Sequence, residues 1–158
     1  MIINSGQKLI ANLPKFRIYK SGEETFRMYS NDGDKYVGIM LARPEFVTEK
    51  GIYPNMKNFW AYYVVGLDAK VKYQGVGKAF NDLLKKLSKE DERCEGRVYL
   101  RAFNNIEPSG RPSSTWWYAR GYRGCDKRAQ EDLDRVRMGI KPKSGDWYRD
   151  MDMYLPIK

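Results

Sequence analysis

A mixed α/β domain is predicted by three features of the sequence. Residues 59–67 form an almost continuously apolar run, residues 76–87 are amphipathic with a helical period, and residues 97–103 alternate apolar and polar. Strand, helix and strand in that order make a right-handed crossover whose two strands lie parallel. The junction between the first strand and the helix, Tyr73-Gln74-Gly75-Val76-Gly77-Lys78-Ala79, turns through glycines. Such a turn gathers several backbone N–H groups and the positive end of a helix dipole at one spot, which suits a phosphate or pyrophosphate. Gly75 and Gly77 lack the Cβ that would hold a ligand off the backbone. Many α/β proteins use the same kind of turn only to change direction.

In chain order, residues 1–13 are mixed and have room for a short helix before Pro14. Residues 16–19 and 25–30 are aromatic and β-branched runs separated by Lys20-Ser21-Gly22-Glu23-Glu24, which predicts strand, tight turn, strand. Asn31-Asp32-Gly33-Asp34 is a turn. Residues 35–43 set Val37, Ile39 and Leu41 on one face and Tyr36, Gly38 and Met40 on the other, as in a strand buried on both sides and hairpinned to its predecessor. Residues 44–58 carry proline, glycine and charge, and read as a loop long enough to line a site, with Glu45 and Glu49 as its acids. Residues 59–68 form the central strand, covered on both faces.

The helix runs from Gly75 to about Glu92, with Val76, Ala79, Phe80, Leu83, Leu84 and Leu87 in a core-facing stripe. Val98, Leu100 and Ala102 then share one face of a strand parallel to the central one. Residues 104–112 are a loop, Ser113 or Ser114 caps a short helix through Arg120, and Gly121 ends it. Residues 126–138 form a charged surface helix with Ala129, Leu133 and Val136 as its apolar stripe. Trp147, Met151, Met153 and Leu155 alternate with Tyr148, Asp150, Asp152 and Tyr154 in a closing strand.

A length of 158 residues with 42% apolar content suits one domain, residues 1–158, with a real core. The formal charge of +9 draws polyanions: nucleic acid, an acidic surface or a multiply phosphorylated cofactor. Trp116, Trp117 and Trp147 could stack on bases, but no nucleic-acid motif accompanies them. The longest apolar run falls far short of the ~20 residues that span a bilayer, and the first residues lack a signal-peptide pattern, so a soluble cytoplasmic protein is expected. Cys94 and Cys125 have no zinc spacing, and the absence of histidine removes both the common nitrogen ligand and histidine-dependent catalysis.

Read as a spacing, Gln74-x-x-Gly77-x-Ala79 resembles the Arg/Gln-x-x-Gly-x-Gly/Ala loop of the GNAT N-acetyltransferase superfamily. Leu67-x-Ala69-x-Val71 occupies the position of that family's splayed fourth strand, and Trp116-Trp117-Tyr118-Ala119-Arg120-Gly121-Tyr122 looks like its second motif. The resemblance covers roughly residues 25–122. It implies a mixed, mostly antiparallel sheet splayed between two parallel strands, with helices on both faces. It also implies acetyl-CoA as cosubstrate, with the strand's free backbone groups pairing with the pantetheine amides. The cofactor-binding positions would be Leu67, Asp68, Ala69, Gln74, Gly75, Val76, Gly77, Lys78 and Ala79, with Lys72 adding charge. The acceptor would be an amine on a small molecule or protein, with no membrane involved; a homodimer is compatible with the resemblance.

In such enzymes an amine, made neutral by a carboxylate or a water it holds, attacks the thioester, and a tyrosine often protonates the departing thiolate. Asp68 is the nearest acid to the thioester position and the candidate base. Counting back from Gly121 puts Trp117 at the usual tyrosine position, so Tyr118 serves as the acid only if the helix is phased differently, since one residue rotates a side chain by ~100°. Two departures stand out: the family's two helices between its first strands are replaced by residues 20–24, and residues 125–146 are inserted before the last strand as a candidate substitute wall. A fold that binds the cofactor without turnover, and a basic nucleic-acid module, are the alternatives.

Overall fold

The structure, a computed structural model, describes residues 6–48, 58–70, 74–103, 113–147 and 149–157. Eight strands form one sheet: β1 (Gln7–Asn12), β2 (Phe16–Ser21), β3 (Thr25–Ser30), β4 (Tyr36–Val47), β5 (Phe59–Ala69), β6 (Val98–Ala102), β7 (Arg123–Gly124) and β8 (Met151–Tyr154). Their order is β1-β2-β3-β4-β5-β6-β8-β7, with β5 and β6 parallel and every other neighbouring pair antiparallel. Helices α1 (Val76–Glu90), α2 (Ser113–Ala119) and α3 (Lys127–Arg137) follow β5, β6 and β7. The predicted crossover is therefore present, and the sheet is mixed and mostly antiparallel as the resemblance implied.

All three helices contribute to one core. Val76, Phe80 and Leu84 of α1, Trp117 of α2, and Ala129 and Leu133 of α3 are buried with Val64, Leu100 and Met153 of the sheet. Two successive right-handed crossovers in the same direction along the sheet, β5 to β6 and β6 to β7, put α1 and α2 on the same face. The opposite face carries a smaller cluster of Val47, Phe59, Ala61 and Tyr99, which no helical side chain joins among the described residues. Helices on both faces were expected; among the described residues the three helices share one face, and Gly22 and its neighbours turn β2 directly into β3.

The N-terminal segment differs from expectation. Residues 7–12 are a strand rather than a helix, pairing with β2 through a register shift between Leu9 and Ala11 that lets Ile10 and Ala11 both reach the core. β4 is longer than predicted, running through Pro44 to Val47 opposite Phe59. Pro44 is tolerated because β3 pairs with β4 only as far as Leu41, leaving an edge where a missing donor costs nothing. Tyr36 is exposed and Val37 buried where the β3–β4 register shifts; beyond it Gly38, Met40 and Ala42 are buried and Ile39 and Leu41 only half-buried, so β4 is closed on one face rather than two. Residues 49–57, 71–73 and 104–112, with Glu49, Val71, Lys72 and Tyr73 among them, and Tyr148, lie outside the described residues.

The insertion before β8 is built on a buried carboxylate. Asp126 caps α3 by accepting from the Ala129 N–H at 2.7 Å. One turn on, Asp132 is fully buried and accepts from the N–H groups of Lys143 and Ser144 at 3.1 and 3.2 Å and from the Arg149 guanidinium at 3.1 Å. Burial pushes its pKa up, but the hydrogen bonds from Ser144 and Arg149 outweigh this and hold the carboxyl below its ordinary range. Asp132→Asn should therefore cost about 3 kcal/mol in urea unfolding at neutral pH, since it removes the buried carboxylate that holds Lys143, Ser144 and Arg149 and leaves that guanidinium only the exposed Asp146 at 3.9 Å. A carboxyl with a depressed folded pKa contributes fully above its unfolded value near ~3.9 and loses that contribution as pH falls through the lower folded value. The gap between wild type and variant should shrink as pH falls below about 4; a gap independent of pH would contradict this assignment.

Candidate functional site

β5 pairs with β6 only at Tyr62, Tyr63 and Val64, opposite Val98, Tyr99 and Leu100, although β5 runs on to Ala69 and β6 to Ala102. The divergence starts at a bulge. Leu41 of β4 faces Gly66 and Ala42 faces Val64, so Val65 is the extra residue. A bulge bends its strand and increases its twist, here carrying β5 away from β6. Between the strands lies a cavity of about 100 Å³ whose walls include Val64, Gly66, Leu67, Leu100, Ala102 and Trp117. A Cβ added at Gly66 would meet nothing within 4 Å, so the backbone fronts open space. Beyond Val64 the ladder of β5 is with β4 alone, so alternate backbone groups along residues 65–69 face the opening without a strand partner among the described residues.

The strand leads to the start of α1. Gly75 takes the N-cap position with φ 91°, a left-handed conformation that favours glycine, and no side chain caps the helix. The Ala79 N–H already donates to the Gly75 carbonyl at 2.9 Å, so the outward donors are those of Val76, Gly77 and Lys78. Val76 is buried in the core, whereas Gln74 is exposed. Lys78 is exposed and pairs with Asp82 at 2.9 Å, an i,i+4 contact worth a few tenths of a kcal/mol. A larger apolar groove of about 460 Å³ lies between β1–β2 and α1 and shares Gly75 and Lys78 with the helix start.

The aromatic motif closes the helical side of the opening. Trp117 is buried and stands edge-on to Tyr122, with ring centroids 5.0 Å apart, and to Trp116 at 4.8 Å. The Tyr122 hydroxyl is fixed in turn by donating to Asn81 Oδ1 of α1 at 2.8 Å. Tyr118, one residue on, is turned away: its hydroxyl donates to Asp134 of α3, and burial and that carboxylate raise its pKa. The helix is thus phased so that Trp117, at the position where the resemblance has a tyrosine, reaches the opening, and Tyr118 is not among the cavity's lining residues. Trp116 lies over Gly77 with Arg120 stacked on its ring at 4.1 Å, so neither Trp116 nor Trp117 forms an open platform for bases.

Leu67 lines the cavity, and Leu67 and Ala69 turn their side chains to the core. Asp68, between them, is exposed on the face without helices. The insertion lies beside α2 rather than over the opening: Ala129 and Leu133 enter the core and none of residues 125–146 lines the cavity. Glu45 is held by Arg43 at 3.3 Å. Cys94 is fully buried, and burial, with Asp91 nearby, pushes its thiol up to about 12, so it supplies no nucleophilic thiolate at neutral pH. No described helix is long and apolar enough to cross a membrane.

The bulge at Val65 and the packing of Trp116 on Gly77 were not read from the sequence, although a glycine three places after Gln74 and an aromatic pair downstream were visible. Gly77 is small for a packing reason: a Cβ there would sit 2.6 Å from Trp116 Cζ2. Gly77→Ala should destabilise the protein by about 1 kcal/mol or more, because overpacking outweighs the gain in helix propensity. In a Trp116→Ala background the same change should instead stabilise by up to ~1 kcal/mol. Chemical denaturation of the four proteins of this cycle measures both, and an unchanged sign would show that the two residues do not meet.

No protein-family model and no curated protein matches the sequence. Solved structures do. The Bacillus subtilis N-acetyltransferase YlbP protein in complex with coenzyme A superposes with a TM-score of 0.51 at 14% identity, covering 87% of this chain and 70% of that one. Chaetomium thermophilum Naa20 in complex with a bisubstrate analogue gives 0.51 at 13%, over 83% and 65%. Arabidopsis thaliana NAA60 in complex with a bisubstrate analogue gives 0.50 at 18%, over 66% and 64%. The chain thus spans about two thirds of the length of these structures. With a parallel strand pair that splays into the glycine start of a helix, and with these neighbours, the chain has the GNAT N-acetyltransferase fold.

Proposed function

We propose that the chain is a single acetyltransferase domain that uses acetyl-CoA as cosubstrate and transfers the acetyl group to an amine on a small molecule or protein. The observation that carries this reading is the divergence of β5 from β6 after Val64, which ends at the uncapped, glycine-led N-terminus of α1. Backbone groups along residues 65–69 are positioned to hydrogen-bond the amides of a pantetheine arm. This reading assigns the N–H groups of Val76, Gly77 and Lys78 to its pyrophosphate, since the helix dipole there favours negative charge. The sheet face on which no described helix packs is the side from which an acceptor reaches the thioester.

In this reading the amine nitrogen attacks the thioester carbonyl, the C–N bond forms, the C–S bond breaks, and the electron pair leaves on sulfur. Holding the two reactants in line supplies much of the rate. Asp68, exposed on the acceptor face but about 13 Å along β5 from Val64, would take the amine proton only through a chain of waters. Trp117 offers no acidic proton to the sulfur. A thiol pKa near ~8.5 makes the thiolate a tolerable leaving group, and water can protonate it; the missing acid would cost at most roughly 10²–10⁴ in rate.

The same observation supports a second reading, a cleft that binds the cosubstrate without turnover, since Trp117 stands at the opening and the Tyr118 hydroxyl is engaged by Asp134. Both readings predict that acetyl-CoA raises the melting temperature: a ligand at a hundred times its dissociation constant stabilises by about 2.7 kcal/mol. Acetyl transfer to a panel of amines separates them. Protection with transfer that falls on Asp68→Asn supports the enzyme, protection without transfer supports the second reading, and no protection at millimolar acetyl-CoA contradicts both.

A further inference from the structure

We infer that Trp117 limits the acyl group in the cleft to acetyl. The inference rests on reading the cleft as an acyl-CoA site and concerns which acyl donors enter it. The inner end of the opening is where the two strands last pair, at Val64 opposite Leu100, and both side chains are buried. Trp117 closes the helical side. Its indole is itself fixed, standing at 72° to the ring of Tyr122 and at 89° to that of Trp116, and Tyr122 is anchored to Asn81. A wall held by rings on two sides does not swing aside cheaply, because interiors are close-packed and transmit strain.

The space is small. The cavity is about 100 Å³, far smaller than the 460 Å³ groove beside β1 and β2. Beyond its sulfur, an acetyl thioester has three heavy atoms: the carbonyl carbon, its oxygen and the methyl. A longer acyl chain directed inward meets Val64, Leu100 and Trp117. A single methylene changes discrimination in an apolar pocket by roughly 10- to 200-fold. An indole at this position therefore supplies volume where a phenol would supply a proton.

The test measures thermal protection of the full chain by CoA, acetyl-CoA and hexanoyl-CoA, in wild type and in Trp117→Ala, Trp117→Phe and Val64→Ala. In wild type, hexanoyl-CoA should need at least about tenfold more ligand than acetyl-CoA for the same shift. Within each folded variant that ratio should fall to about three or less, as either wall is cut back. Trp117→Phe and Val64→Ala keep the test open if Trp117→Ala does not fold. Equal protection by hexanoyl- and acetyl-CoA in wild type, or an unchanged ratio in the folded variants, would overturn the inference while leaving the cosubstrate reading intact. No protection by CoA itself would instead reject the reading, and the inference with it.

Discussion

The parting of β5 from β6 at the Val65 bulge is the constraint on which the rest of the site depends. A parallel pair that stayed in register would satisfy its own backbone groups and leave no opening. One extra residue in β5 sends the strand off with β4 as its sole partner and frees a row of polar groups that need another ligand. The bulge lies on the side of β5 that pairs with β4, and the opening lies on the side that faces β6. The cleft is thus set by a pairing on the far side of the strand.

Around that opening the described helices lie on one side of the sheet. Two crossovers in the same direction stack α1 and α2 on one face, and α3 joins them there by sinking Ala129 and Leu133 into their core. The buried Asp132, with its donors from Lys143, Ser144 and Arg149, ties the loop after α3 to this layer. Among the described residues the other face keeps a small apolar cluster, and β2 turns straight into β3 without intervening helices.

Much of the fold was legible because its elements have strong periods. The stripe Val76, Phe80, Leu83 and Leu84 and the alternation Val98, Leu100 and Ala102 each mark a buried face, and both are buried. The end of β4 was not legible, since Pro44 is a strand breaker except on an edge, and whether it lies on an edge depends on where β3 stops. β1 was missed because its pattern is irregular; its bulge between Leu9 and Ala11 breaks the two-residue period that a strand reading needs. At the site, the glycines and the aromatic motif were visible as types, but their partners were not. That Gly77 seats Trp116, and that Tyr118 turns to Asp134, are long-range contacts that no local spacing encodes.

The central claim is that the opening between β5 and β6, continued to the start of α1, is the acyl-donor site. Amide hydrogen exchange with and without saturating CoA tests it directly, because bound ligand slows exchange where it takes up backbone donors or closes local opening. The account predicts slowed exchange in peptides covering residues 65–69 and 75–79, with little change in α3. Slowing confined to the apolar groove beside β1 and β2, or to α3, would contradict it.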